Sequence, residues 1–252
     1  MAYKTSIRTY CNLFLLPIAF LMISCNSINH DSCLSNELLQ NSKEIEIKFL
    51  GNNPDLSEVQ KEIAKITGSI KSNIHQKQPE EILHVLSQVI YDSLGIQPMP
   101  DSTDITFDCV TILLRTRKAS CVGLTSLYLI LADQLDLPLY GVLVPGHVFV
   151  RYQNGSSYIN VETLKTGIHR TDEFYRNYFK PNPSITYYLR NLTKKEFIAI
   201  CLFNLGNEYS KRGLYENAIS KYNSVHLLFP DFGEARDNMR SSYFQRKNSI
   251  GM

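Results

Sequence analysis

Two residues near the middle of the chain have the types and positions for thiol chemistry. Cys121 opens a helical pattern and His147 opens an alternating one, within "SCVGLTSLYLILADQLDLPLYGVLVPGHVFVRY". Cleavage of an amide by a cysteine needs a thiolate, a base beside the sulfur and a group that orients the base. A cysteine at a helix start meets unpaired N–H groups and the positive end of the dipole, and Arg117 and Lys118 lie just upstream; all of these favour a thiolate. His147 is then the residue to hold the proton. The competing reading is plain: a lone cysteine is commonly a small buried hydrophobe, and a histidine at a strand start is commonly structural.

The elements that must bring the pair together are legible around it. From Cys121 the residues Leu124, Tyr128, Leu131 and Leu135 form a helical stripe that Pro138 ends. Residues 139–144, 147–153 and 156–162 read as strands, the last two joined through Asn154-Gly155, a pair suited to a type I′ turn. With those two as the loop, Gln153 faces Ser156 and His147 faces Glu162. Directly opposed residues project from one side of a sheet with Cβ atoms roughly 4.5–5.5 Å apart, close enough for an imidazole to meet a carboxylate. Val148 with Val161 and Val150 with Ile159 then form an apolar opposite face. Asn160 shares the polar face and is a candidate helper.

Upstream, Val59, Ile63, Ile66 and Ile70 predict a helix over 56–74, and Pro79 followed by Glu80 and Glu81 starts a second that stops near Gly95. A further helix is predicted at about 107–116. "EIEIKFL" alternates and reads as a short strand, and the polar residues 25–44 read as a tether.

The run from Arg117 to Tyr152, followed by "YINVETL", resembles the core of the transglutaminase-like superfamily, whose fold is related to that of papain-like cysteine proteases. The resemblance covers roughly residues 80–190. It implies an α+β domain over 45–192 in which a helix opens with the nucleophile Cys121, a strand brings His147, and the next strand brings an acid, here Glu162 where aspartate is usual. The implied activity is cysteine-dependent hydrolysis or acyl transfer on a peptide or protein, with no cofactor. Some relatives lack activity and serve as binding or scaffold domains, so that alternative stays open.

After residue 192, helices are predicted at about 194–211, 214–228 and 231–245. Leu202, Leu205, Gly206, Tyr209, Gly213, Tyr215, Ala218, Tyr222 and Pro230 follow the order and spacing of a tetratricopeptide unit (TPR), with small residues where two helices approach. One such unit cannot bury its apolar face alone, so 193–252 is expected to pack on the preceding domain or on a partner.

At the other end, Lys4 and Arg8 precede the apolar run "LFLLPIAFLMIS", which reads as an export signal over residues 1–24. Met22, Ile23, Ser24 and Cys25 resemble the lipobox of bacterial lipoproteins, which implies lipid (palmitate-type) modification at Cys25 and a membrane-anchored place in the bacterial cell envelope. Removal of residues 1–24 takes away two cations and no acids, so Lys and Arg balance Asp and Glu in what remains. A neutral chain offers no basic field for nucleic acid. Cys33, Cys109 and Cys201 show no metal or disulfide spacing, and the other histidines are expected to face solvent or serve structure.

Overall fold

The computed structural model describes residues 32–250, so residues 1–24, expected to be an export signal, and Cys25 lie outside the described residues. Nine α-helices and six strands are described: α1 (Ser32–Ile45), α2 (Leu56–Ile74), α3 (Pro79–Ser87), β1 (Gln97–Pro98), α4 (Val110–Thr116), β2 (Lys118–Ala119), α5 (Cys121–Leu135), β3 (Leu139–Val144), β4 (His147–Asn154), β5 (Ser157–Glu162), β6 (Ile168–Arg170), α6 (Asp172–Phe179), α7 (Lys194–Lys211), α8 (Tyr215–Leu228) and α9 (Gly233–Ile250). Helix α5 is the centre of the molecule. Every residue from Val122 to Ala132 is buried, and α2, α4, β3 and β4 all pack against the helix. A helix apolar on all sides belongs in a core rather than at a surface.

The four-stranded sheet runs β3-β4-β5-β6, antiparallel throughout. Pro145 and Gly146, the latter at φ +70°, join β3 to β4. Proline presets the first turn residue, and glycine accepts the positive φ of the second. The outer edge of β3 is covered by the returning chain, where Leu189 and Leu192 donate N–H bonds to the Leu143 and Gly141 carbonyls at 3.0 and 2.8 Å. An edge so paired cannot recruit another strand.

The β4–β5 register differs from the sequence expectation. Asn154 pairs with Ser157, and Gly155 and Ser156 form the loop. Only Gly155 takes positive φ, at +61°, whereas the type I′ turn expected at Asn154-Gly155 needs it at both loop residues. The strands are therefore displaced by two residues, with Val150 opposite Val161 and Tyr152 opposite Ile159. An even displacement leaves every side chain on its expected face, so His147 and Glu162 remain on one side as diagonal neighbours.

Residues 32–50 are not a tether followed by a strand. They form α1 and a π-helical turn over Glu46–Leu50. Leu34, Leu38, Leu39 and Ile45 are buried, a helical stripe diluted by polar neighbours. Two of those neighbours are anchors: Ser42 Oγ accepts the Val110 N–H at 3.0 Å, and Glu44 accepts from Tyr209 Oη at 2.9 Å and Lys221 Nζ at 2.6 Å. Helix α1 thus bridges the core and the last helices.

The start of α5 is clamped. The Ser120 N–H bonds the Phe107 carbonyl at 3.0 Å, and a Cβ on Gly123 would lie 2.2 Å from that same carbonyl oxygen. Only glycine allows this approach. Gly123→Ala is therefore expected to push the first turn of α5 outward and to cost about 1–3 kcal/mol of stability, read as a lower denaturant midpoint. An unchanged midpoint would show that the contact relaxes freely.

Candidate active site

Cys121 is the first residue of α5, and Ser120 caps the helix. Ser120 Oγ accepts the N–H groups of Val122 and Gly123 at 3.2 and 3.3 Å, the favoured use of serine before a helix. The same hydroxyl donates to Asp108, whose other oxygen accepts Asn204 Nδ2 at 2.8 Å. Asp108 therefore fixes the cap that sets the position of Cys121 and ties it to α7. Burial raises the Asp108 carboxyl to about 6, against the opposing hydrogen bonds of Ser120 and Asn204.

The thiol of Cys121 is partly exposed, whereas Cys109 and Cys201 are buried. Burial pushes the thiols of Cys109 and Cys201 well above their ordinary value, which makes both inert. Cys121 opens instead into a cavity of about 190 Å³ that it shares with His147.

His147 is 6% exposed and its Nε2 lies 2.9 Å from Glu162 Oε2. Burial opposes the charged imidazole, but hydrogen bonding to Cys121 and to Glu162, with the charge of both, prevails and raises His147 to about 9. The Glu162 carboxylate is itself fixed: Tyr175 Oη donates to Oε2 at 3.1 Å and the Leu164 N–H to Oε1 at 2.9 Å. Burial pushes the Glu162 carboxyl up, yet these bonds and the histidine hold it below the ordinary carboxylate range.

The imidazole plane is set by helix α6. Phe179 stacks on His147 at 5.0 Å and 8°, and Tyr175 stacks on Phe149 at 3.7 Å and 5°. Tyr175 and Phe179 stand four apart, so both reach the sheet from one helix face. Thr171, whose hydroxyl accepts the Phe174 N–H at 3.1 Å, starts that helix.

His147 and Glu162 are hydrogen-bonded, Cys121 and His147 line one cavity, and Asn160 stands apart from all three. Its amide donates to Asp172 at 2.7 Å and accepts Arg151 Nε at 2.7 Å, a neighbouring polar network that braces α6 against the sheet. His75, His84, His169 and His226 are exposed. Among the described residues, no helix is long and apolar enough to cross a membrane.

The remaining walls of the cavity come from the C-terminal helices: Ile200, Phe203 and Asn204 on α7, and Phe232 and Glu234 at the start of α9. Nothing local in the sequence joins these to Cys121. A family model described as the transglutaminase-like superfamily matches residues 57–202, a span from α2 into α7 that contains the whole Cys121–His147–Glu162 arrangement. No curated protein and no solved structure matches the chain.

Proposed function

Because the chain belongs to the transglutaminase-like superfamily, we propose that it is a thiol-dependent hydrolase or acyltransferase acting on amides of a peptide or protein. The observation that carries this reading is the pairing of a partly exposed cysteine with a buried histidine, itself held by Glu162 at 2.9 Å, around one cavity. The Cys121 thiolate attacks the amide carbonyl and a C–S bond forms. His147, as imidazolium, gives its proton to the amide nitrogen, the C–N bond breaks and an amine leaves. Water or a second amine then attacks the thioester while His147 takes its proton, the C–S bond breaks and the thiolate returns. Glu162 holds the imidazole in the productive orientation and favours its charged form.

The same reading includes export through residues 1–24, lipid attachment at Cys25 to a membrane of the bacterial cell envelope, and a TPR-like arrangement of α7 to α9. Mass analysis of the protein recovered from membranes tests the anchor: a chain beginning at a lipid-modified Cys25 is expected, and an unmodified or uncleaved N-terminus would remove it.

The chemistry is tested by alkylation. Iodoacetamide is expected to label Cys121 ahead of Cys109 and Cys201, which burial shields, with the fast label mapped by peptide mass to Cys121 in wild-type protein and lost in Cys121→Ala. Equal labelling of wild type and Cys121→Ala would refute the assignment.

A further inference from the structure

The proposed chemistry does not use the carboxylate on the cavity wall that the C-terminal helices supply. Glu234 lines the same cavity as Cys121 and His147. Its two oxygens accept from the hydroxyls of Tyr187 and, at 2.7 Å, Tyr188. Burial and the neighbouring carboxylate push both tyrosine hydroxyls up, so they act as neutral donors that orient the charge without cancelling it. Among the described residues, no Lys, Arg or His forms an ion pair with Glu234. Around it the cavity is apolar, walled by Val122, Val144, Ile200, Phe203 and Phe232. A carboxylate in the first turn of α9 does help that helix, but helix stability alone does not call for two tyrosines aiming it into a confined space beside a thiol.

We propose that Glu234 determines substrate specificity at this site by pairing with a protonated amine on the acyl portion of a compact amide. The proposal rests on Cys121 being the nucleophile. The leaving amine departs beside His147, on the wall formed by the sheet, so the wall that carries Glu234 meets the acyl side. Size agrees with this assignment. The cavity of about 190 Å³ lies below the roughly 300 Å³ at which pockets for drug-sized ligands begin, and suits one residue-sized group rather than a stretch of polypeptide.

Two electrophiles separate the possibilities on the full chain: alanyl chloromethyl ketone with a free amino group, and its N-acetyl counterpart. Wild type is expected to react at Cys121 at least about tenfold faster with the free-amine probe, the lower end of what a charge-assisted hydrogen bond provides. In Glu234→Gln, which keeps the shape and one tyrosine bond to the amide oxygen while the amide N–H donates to the other tyrosine oxygen, the ratio is expected to fall to near one while iodoacetamide still labels Cys121 at the wild-type rate. Equal rates for the two probes in wild type, or a preference that survives in Glu234→Gln, would overturn the assignment of Glu234 and leave the nucleophile standing. Absence of iodoacetamide labelling at Cys121 would remove both.

Discussion

His147→Gln is expected to slow amide cleavage by about 10²–10⁴ while the protein keeps its fold. The glutamine amide can still meet Glu162 where Nε2 now stands, 2.9 Å from Oε2, so the carboxylate retains a partner. What it lacks is a nitrogen that titrates. The leaving amine then receives no proton from the enzyme, and the thiolate loses its imidazolium neighbour. Both variants lose the ring stacked at 5.0 Å on Phe179, but His147→Ala is the harsher change, because it leaves the space empty and leaves Glu162 with only Tyr175 and the Leu164 N–H. Loss of a buried charged partner adds about 1–3 kcal/mol of destabilisation, so a fall in thermal midpoint is expected for alanine and not for glutamine. Single-turnover acylation of both variants, read beside their unfolding midpoints, separates proton transfer from folding. Wild-type acylation by His147→Gln would take the imidazole out of the mechanism.

Much of this site is legible in the sequence because its parts are local. Cys121 follows a capping serine and opens a helix rich in apolar residues, and His147 begins a strand. The hairpin shows what such local reading can and cannot fix. Which face each residue takes follows from the period of two, and it survived a displacement of two residues. Which residue lies directly opposite depends on φ at Asn154 and Gly155, and a dipeptide preference does not settle whether Asn154 takes the positive value. The polar stretch before residue 45 misled for a related reason. Its four buried apolar residues are separated by polar residues whose partners, such as Val110 for Ser42 and Tyr209 for Glu44, are distant in the chain.

The supports of the site are illegible for the same cause. Asp108 reaches Asn204 across 96 residues and Tyr187 reaches Glu234 across 47, and no periodicity records such pairs. Tyr175 and Phe179 carried a weak signal, two aromatics four apart after a threonine cap, but nothing in the sequence says that their face covers a histidine. Local pattern thus marks the candidate reacting groups, whereas long-range packing decides how firmly they are held.

Glu162→Gln tests that firmness through pH. In the folded protein His147 is raised from 6.5 to about 9, because hydrogen bonds and charge from Cys121 and Glu162 outweigh burial. A raised histidine contributes stability that is fully present below pH 6.5 and is lost as pH climbs through about 9. Glu162 is depressed, so its contribution is present above its ordinary carboxylate value and is lost as pH falls through the lowered one. Between those limits both groups are charged, and kcat/KM is expected to hold steady before declining along an alkaline limb near pH 9. Glutamine removes the anion and leaves only Cys121 to oppose the effect of burial on the charged imidazole. The alkaline limb should therefore move down from about pH 9, with the loss of rate concentrated on the alkaline side and far smaller near pH 6. A general loss of structure would lower the rate at every pH alike and leave the limb in place. A limb that stays near pH 9 in Glu162→Gln would assign the raised histidine to Cys121 alone, and the carboxylate would then serve only to aim the ring.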